Sequence, residues 1–282
     1  MDILLLRTFT SIVDTGSFSA AAVELNCVQS NVTARISRLE DRLGQALFER
    51  GRGGARLTVF GERLQHHAND LLARFDAATN DLLDAAGASA PLKIGSMETT
   101  AAVHLPRLLK KLKKQCSSAP ISLRTGPTAE LVSMLWDRKI DVAFIAGPVD
   151  ENRFRGQHAF MEHLTLVENI DGSSQTSLLA FRSGCSYRAQ AESWLRSQGK
   201  VDIDILEMGS LDGILGCVEA GMGFTIIPES TINARQDIAN FKTQPLPPIY
   251  ADIETHLIWR HDHRKTQAHQ VLCDLIDEIT HP

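Results

Sequence analysis

The segment that determines how the N-terminal part folds is GSFSAAAVELNCVQSNVTARISRLEDRLGQALFERGRGGARLTVFGERL, residues 16–64. Ser19 is a natural N-cap for the short helix that follows it, because its hydroxyl can accept a free backbone N–H. A three-residue turn at 26–28 separates this helix from the next one. The apolar positions of that next helix are spaced by four, three and four, at Val32, Ile36, Leu39 and Leu43. Two short helices around such a turn predict a helix-turn-helix.

The face of the second helix opposite this apolar stripe is polar. In the major groove, glutamine and asparagine can make paired hydrogen bonds to adenine, arginine can do so to guanine, and threonine can contact bases or phosphates. A surface helix of a small bundle would expose similar residues, so periodicity alone does not choose between the two interpretations. The candidate DNA contacts here are Ser19, Gln29, Ser30, Asn31, Thr33, Ala34, Arg35 and Arg38.

A glycine-rich and arginine-rich segment follows, bracketed by the apolar residues Phe48 and Leu57. It predicts a β-hairpin wing whose arginines, Arg50, Arg52 and Arg56, can contact phosphates beside the groove. A nucleotide-binding glycine loop is the competing hypothesis, but no strong strand precedes the segment and no Lys-Ser/Thr closes it. Residues 29–56 carry six arginines against three carboxylates, on a chain whose net charge is −5. A local basic patch on an acidic body is compatible with a site-specific DNA-binding protein.

Over nearly its whole length, the segment 16–64 resembles the helix-turn-helix and wing of LysR-type transcriptional regulators. The resemblance implies that residues 29–38 form the recognition helix. The family usually has serine or threonine where this chain has Val28, and proline where it has Ser30. We therefore expect the cap of the recognition helix to shift to Ser30.

From Val59 to about Ala86 the chain contains no proline, which predicts a long helix. Its apolar residues form a heptad seam at Leu64, Ala68, Leu71, Phe75, Ala78 and Leu82. Packing against the helix's own domain is the alternative, but so narrow a seam favours dimerisation. The resemblance agrees, since similar proteins pair through this helix. Residues 87–91 end the helix and are expected to serve as a hinge.

Beyond Pro91 the pattern alternates strand and helix twice over, which predicts two α/β lobes with parallel strands and a cleft between them. Segments 93–112, 125–149 and 209–228 resemble the LysR-type effector domain, itself similar to periplasmic binding proteins. The fold class is therefore α/β overall, with an all-α winged N-terminal domain. The expected boundaries are 1–58 for the DNA-binding domain, 59–90 for the linker helix and hinge, 91–161 with 261–282 for lobe I, and 162–260 for lobe II. The chain is expected to cross between lobes near 162–167 and 255–260.

Hydroxyl-bearing residues lie where strands end and helices begin, and they form a plausible polar lining for the cleft. Each one singly could be a plain N-cap. The resemblance supports them as effector contacts. Glu98 could bind a cationic group of the effector or point to solvent, and the sequence leaves that choice open. The candidate effector contacts are Ser96, Glu98, Thr99, Thr100, Thr125, Thr128 and Ser210.

The five cysteines are odd in number and lack metal-ligand or CxxC spacing, so free thiols and no metal or cofactor are expected. Cys185 falls in a loop after a strand, where its thiol could be accessible. A redox switch needs a low pKa and usually a resolving partner, and no pairing is evident from the sequence.

Together these features predict a transcriptional regulator that binds promoter DNA in a sequence-specific way and responds to a small-molecule effector. A cytosolic small-molecule-binding protein and an α/β enzyme are the alternatives. No nucleophile elbow, Walker loop or metal cluster supports an enzyme, and a solute-binding protein would not need the helix-turn-helix. The expected partners are double-stranded DNA, the effector and further copies of the chain, as a dimer that assembles to a tetramer. RNA polymerase is a further candidate partner. With no signal peptide or membrane span, the expected location is the cytoplasm.

Overall fold

The computed structural model describes residues 2–49, 55–85, 90–172, 177–235 and 238–280. The chain divides into two compact units, Met1–Thr79 and Asn80–Pro282. Within the described ranges, no helix is both long enough and apolar enough to cross a membrane.

The N-terminal unit contains three helices and the start of a fourth: α1 (Ile3–Thr15), α2 (Phe18–Glu24), α3 (Gln29–Leu43) and α4 (Val59–Ala85). Asp2 caps α1 by accepting a hydrogen bond from the backbone N–H of Leu4 at 3.0 Å. Gly16 ends this helix with φ of 66°, a left-handed conformation that favours glycine.

The N-cap of α2 is Ser17, so the prediction of Ser19 was wrong. Ser17 has extended backbone, and its hydroxyl accepts from the N–H of Ala20 at 3.4 Å. Ser19 is exposed inside the first turn of the helix. Both serines precede the alanine run, and the sequence does not show which of them keeps the non-helical backbone that an N-cap requires.

The core of this unit forms between α1 and α3. The apolar stripe of α3 is buried as predicted at Val32, Ile36 and Leu39, and it packs with Leu5, Phe9 and Ile12 of α1. Phe48 closes the core from the wing, with its ring 5.5 Å from Phe9 and 5.3 Å from Phe18. This packing holds α3 with its polar face outward.

The base of the predicted wing is present. Phe48 and Leu57 form an antiparallel bridge, and the N–H of Glu49 donates to the carbonyl of Arg56 at 2.8 Å. The tip, residues 50–54, lies outside the described residues. At the start of α4, a Cβ on Gly61 would lie 2.2 Å from a backbone oxygen of the wing's first arm. Only glycine fits that close approach.

The C-terminal unit alternates strands and helices. In chain order these are β1 (Leu92–Ser96), α5 (Glu98–Val103), α6 (Leu105–Gln115), β2 (Ile121–Thr125), α7 (Thr128–Trp136), β3 (Val142–Ala146), β4 (Phe154–Asn169), β5 (Leu178–Phe181), α8 (Ser186–Ser197), β6 (Ile205–Met208), α9 (Leu211–Glu219), β7 (Thr225–Pro228), α10 (Glu229–Asn233), a 3₁₀ turn (Ile238–Asn240), β8 (Phe241–Pro245), α11 (Pro248–Ala251), β9 (Asp252–Arg260) and α12 (Gln267–Thr280).

One sheet runs through both lobes in the order β2-β1-β3-β9-β4-β7, with β8 also paired to β4. Strands β1, β2 and β3 are parallel, as predicted, but β9 is antiparallel to both β3 and β4. In lobe II, β5 and β6 form a separate parallel pair. The mixed sheet corrects the expectation of parallel strands alone.

Strand β4 carries the chain from lobe I into lobe II. Its residues 154–163 pair with β9 and its residues 164–167 pair with β7, so the first crossing lies where it was predicted. The second predicted crossing, at 255–260, is wrong, because residues 255–258 pair with β3 inside lobe I. The return crossing comes earlier, at the start of β9, and β9 belongs to lobe I.

Candidate functional site

The outward face of α3 carries the polar side chains that the sequence analysis selected. Arg35 is half-buried, and the Thr33 hydroxyl donates to the carbonyl of Gln29 at 3.1 Å, one helical turn earlier. The exposed members of the set are Gln29, Ser30, Asn31, Thr33, Ala34 and Arg38. They lie on the exposed side of a helix of 15 residues, and all of them except Ala34 are polar.

The N-terminus of α3 is at Gln29, and the N-cap is Val28. The expected shift of the cap to Ser30 is therefore wrong, since Ser30 lies in the first turn. Val28 has no side-chain oxygen to offer, and no side chain caps the helix. The first-turn N–H groups are left without a side-chain acceptor, and such groups suit an anion such as phosphate.

Of the three wing arginines, only Arg56 lies within the described residues. It is exposed and forms an ion pair with Glu49 at 3.7 Å across the base of the hairpin. Arg50 and Arg52 lie outside the described residues. An exposed pair of this length is weak, so Arg56 can exchange Glu49 for a phosphate at little cost.

The seam predicted along α4 divides into two parts. Leu64 and Ala68 are 7% and 0% exposed and belong to the core of the N-terminal unit, which corrects their assignment to a dimer contact. Further along, Leu71, Phe75 and Leu82 are 41%, 46% and 72% exposed. Ala78, between them, is exposed as well. The free part of the seam therefore begins at Leu71.

An open pocket lies between the two lobes of the C-terminal unit, and its space, counted together with the solvent at its mouth, is about 460 Å³. Lobe I supplies the β1–α5 and β2–α7 junctions, and lobe II supplies the β5–α8 and β6–α9 junctions. These are the carboxyl ends of strands, where α/β folds bind ligands. The lining residues are Met97, Glu98, Thr99, Thr125, Gly126, Pro127, Phe181, Arg182, Cys185, Tyr187, Met208 and Gly209.

Of the predicted effector contacts, Glu98, Thr99 and Thr125 line this pocket. The other four do not. Ser96 is buried and donates to the carbonyl of Met97, Thr100 is buried beneath the surface, and the Thr128 hydroxyl accepts from Ser186 at 3.0 Å. Ser210 caps α9 by accepting from the N–H of Gly213. The Ser210 side chain therefore serves as a plain N-cap, which is the alternative that the sequence left open for each of these residues.

Tyr187, on α8, places a buried hydroxyl at the floor of the pocket. It is 1% exposed, and burial raises the pKa of its phenol well above the ordinary value. The hydroxyls of Thr99 and Thr255 lie beside it. None of these three hydroxyls makes a hydrogen bond of ordinary geometry to a described residue, although Thr255 and Thr99 lie close enough to the phenol to lower its pKa. Buried polar groups are normally satisfied, so this floor offers donors and acceptors to a bound molecule.

Glu162 joins the two lobes where β4 passes between them. The side chain is buried, and one of its oxygens accepts from His104 Nε2 of lobe I at 2.6 Å. The other oxygen accepts from the Ser230 hydroxyl of lobe II at 2.7 Å. The His104 ring stacks on Phe160 with centroids 4.0 Å apart. This carboxylate is thus a polar link across the hinge.

Two family models match the chain. One is described as "Bacterial regulatory helix-turn-helix protein, lysR family" and covers residues 3–62, and the other, "LysR substrate binding domain", covers residues 85–280. The chain belongs to the LysR family. It is a DNA-binding transcriptional regulator with an effector-binding domain.

Curated LysR-type relatives match over essentially the whole chain. The HTH-type transcriptional regulator YofA of Bacillus subtilis is 35% identical, covering 97% of this chain and 98% of the relative. The HTH-type transcriptional regulator CzcR of Bacillus cereus is 35% identical over 100% and 99%. GltR of Bacillus subtilis is 34% identical over 95% and 93%.

Solved structures of LysR-type proteins share the fold. A full-length OxyR variant from Pseudomonas aeruginosa has a TM-score of 0.71 at 24% identity, covering 98% of this chain and 95% of that one. Full-length CbnR complexed with target DNA has a TM-score of 0.69 at 20% identity, covering 99% of both chains.

Most of the lobe II side of the pocket in this LysR-family chain is absent from the residues predicted from the sequence. Phe181 and Met208 are the last residues of β5 and β6, and Arg182 follows β5, and a search for hydroxyls passes over all three. Cys185 was noticed for its loop, but the residue is buried, and burial raises the pKa of its thiol. That environment disfavours the thiolate that a redox switch requires. The available signal was positional, since all four lie at or just after the carboxyl ends of β5 or β6.

Proposed function

We propose that this LysR-family regulator contacts its operator through the outward face of α3 and through the wing, and that a small molecule in the inter-lobe pocket controls that contact. The buried, unpartnered hydroxyls at the pocket floor are the observation that supports a ligand there most directly. The effector acts through its different affinity for the two lobe arrangements.

The proposed DNA contacts fall into two classes. Gln29, Asn31, Arg35 and Arg38 on α3 contact base edges, while Arg56 and the first-turn N–H groups of α3 contact phosphates. Ser30, Thr33 and Ala34 complete the surface. Arg50 and Arg52, and Ser19 at the start of α2, are proposed from the sequence alone.

The proposed assembly is a dimer formed through the free seam of α4, at Leu71, Phe75, Ala78 and Leu82. Apolar side chains this exposed at heptad spacing favour a second helix as their partner. Two recognition helices would then contact half-sites about one DNA turn apart, roughly 34 Å. Assembly to a tetramer and contact with RNA polymerase extend the proposal, as does a location in the cytoplasm beside the chromosome.

We propose regulation without catalysis. The relatives are named as transcriptional regulators, which supports this assignment. Turnover of a bound compound by the purified protein would contradict it. The functional boundaries we propose are a DNA-binding domain to residue 58, a linker helix to residue 90 and the effector domain beyond.

Selection of bound genomic fragments by the full-length protein tests the DNA proposal. The Gln29→Ala and Arg35→Ala variants should relax the preference at single base pairs and weaken binding by about 1–3 kcal/mol each. Arg56→Ala should weaken binding to all sequences alike and reduce the log-log salt slope by about 0.9 per lost phosphate contact. Arg196→Ala, an exposed arginine of lobe II, is the matched control. Unselective binding that none of the α3 variants changes would contradict the proposal.

A further inference from the structure

The residues that line the pocket include one carboxylate and one guanidinium, each contributed by a different lobe. Glu98 comes from the start of α5 in lobe I, and Arg182 comes from the β5–α8 loop in lobe II. Neither side chain forms an ion pair or a hydrogen bond with any described residue. The charge of Arg182 contributes to lowering the pKa of Glu207, but this carboxylate already forms an ion pair with Arg188 and accepts a hydrogen bond from the N–H of Ser183.

The pocket interior divides into a polar floor and apolar walls. The floor carries the unpartnered hydroxyls of Thr99 and Tyr187, which are 3% and 1% exposed. The walls are Met97, Phe181 and Met208, two flexible thioethers and a ring that can pack on an apolar group of variable shape.

The charges around this space disfavour a ligand with a single charge. A simple carboxylate would share the pocket with the carboxylate of Glu98. A simple amine would face Arg182. A ligand that carries both charges satisfies each rim residue with its opposite, and charge-assisted hydrogen bonds of this kind are the strong ones.

We infer that the effector is a zwitterion, of the class of an α-amino acid with an apolar side chain of medium size. Its ammonium group binds Glu98, its carboxylate binds Arg182, and the floor hydroxyls bind the remaining polar atoms. Its side chain packs between Met97 and Met208. This inference rests on the proposed function, because it takes the inter-lobe pocket as the effector site.

Calorimetric titration of the full-length protein with three probes of one carbon skeleton tests the inference. The probes are L-leucine, 4-methylpentanoate, which lacks the amine, and 3-methylbutylamine, which lacks the carboxylate. L-Phenylalanine, 3-phenylpropanoate and 2-phenylethylamine form a second set. In at least one set the zwitterion should bind about tenfold or more tightly than both singly charged analogues, the factor expected for one charge-assisted contact.

Two variants separate the charges. Glu98→Gln should weaken binding of the zwitterion about tenfold and leave the carboxylate analogue unchanged or tighter. Arg182→Gln should weaken the zwitterion similarly and leave the amine analogue unchanged or tighter. Both side chains are outside the core, so the fold should persist. Arg196→Gln is the matched control and should change none of the affinities.

A singly charged analogue that binds as tightly as its zwitterion overturns the inference, and so does the absence of zwitterion binding in both sets. A screen with uncharged and singly charged compounds then tests whether the pocket is the effector site, independently of the inference that the effector is a zwitterion. Binding of such a compound that Thr99→Val or Tyr187→Phe weakens would keep the pocket as the effector site with a different ligand class. If neither variant changes the binding of any compound, the pocket is not the effector site and both proposals fail.

Discussion

Lowering the pH from neutral to mildly acidic values should destabilise the C-terminal unit through His269. This side chain lies on α12 with no exposed surface, and its ring is 4.9 Å from that of Trp259. Its Nδ1 is 3.1 Å from Nε2 of His263. Burial, and then the nearby charges of His263 and Lys265, lower the pKa of His269 from 6.5 to about 3. Burial lowers the pKa of His263 as well.

The direction of the pH effect follows from which state of the chain, unfolded or folded, binds the proton at the higher pH. The unfolded chain takes up a proton near pH 6.5, whereas the folded chain keeps His269 neutral down to about pH 3. The stability is therefore fully present above pH 6.5 and falls below it by about 1.4 kcal/mol per pH unit. Between about pH 7.5 and 5.5 the free energy of unfolding should fall by about 1.4 kcal/mol from His269 alone.

Urea unfolding followed by tryptophan fluorescence measures this change. Trp136, Trp194 and Trp259 are the three tryptophans of the chain and all belong to the C-terminal unit, so the signal reports on that unit. In His269→Asn, the pH-dependent loss should shrink by about 1.4 kcal/mol, or about 0.7 M in urea midpoint for a slope of about 2 kcal/mol/M. Equal pH dependence in the two proteins would refute the argument.

Three further predictions follow from packing and hydrogen bonding. Leu82→Asp puts a charge into the free seam of α4, so it should abolish the proposed dimer, and light scattering should give the mass of a monomer. Val201→Asp changes an equally exposed residue of lobe II and should leave the mass unchanged. A dimeric Leu82→Asp protein would exclude the seam as the dimer contact. Gly61→Ala should destabilise the N-terminal unit by about 2 kcal/mol or more, because the added Cβ would clash with a backbone oxygen. Thermal unfolding followed by circular dichroism measures this loss, and a melting curve like that of the wild type would contradict it. Glu162→Ala removes the acceptor of both His104 and Ser230, so it should lower the free energy of unfolding by about 1–3 kcal/mol by tryptophan fluorescence, more than Ser230→Ala, which removes one of the two hydrogen bonds. Equal losses in the two variants would count against the carboxylate as the link.

The N-terminal fold could be predicted from the sequence because its signals are local. The apolar stripe of α3 and the anchors Phe48 and Leu57 each follow from spacing within a short segment. The α4 seam shows the limit of such signals. Leu64 and Leu82 occupy equivalent heptad positions, yet one is buried in its own unit and the other is exposed. Periodicity shows which face of a helix is apolar, and it does not show what covers that face.

The hinge strands and the lobe II side of the pocket could not be predicted in the same way. Strand β4 contains several polar residues of low strand propensity, such as Gln157 and Glu168, and its two ends pair with different strands. Tyr187 has the sequence signature of an ordinary apolar helix position. Its role depends on the neighbouring hydroxyls of Thr99 and Thr255, which are distant in the chain. Such groupings arise only from the tertiary fold.

Helix α4 contributes its first turns to the core of the DNA-binding unit and its later turns to the proposed dimer contact. This division determines where the DNA-binding unit can be fused to the effector domain of another protein. The turns that carry Leu64 and Ala68 complete the core of the DNA-binding unit, so a chimera that replaces them would lose part of that core. A junction placed after Leu72, which also packs against that core, keeps the core packing and replaces the proposed pairing positions Phe75, Ala78 and Leu82 together with the sensor. The donor protein would then supply both the signal and the partner choice, and a hybrid of this kind would not form mixed dimers with its parent.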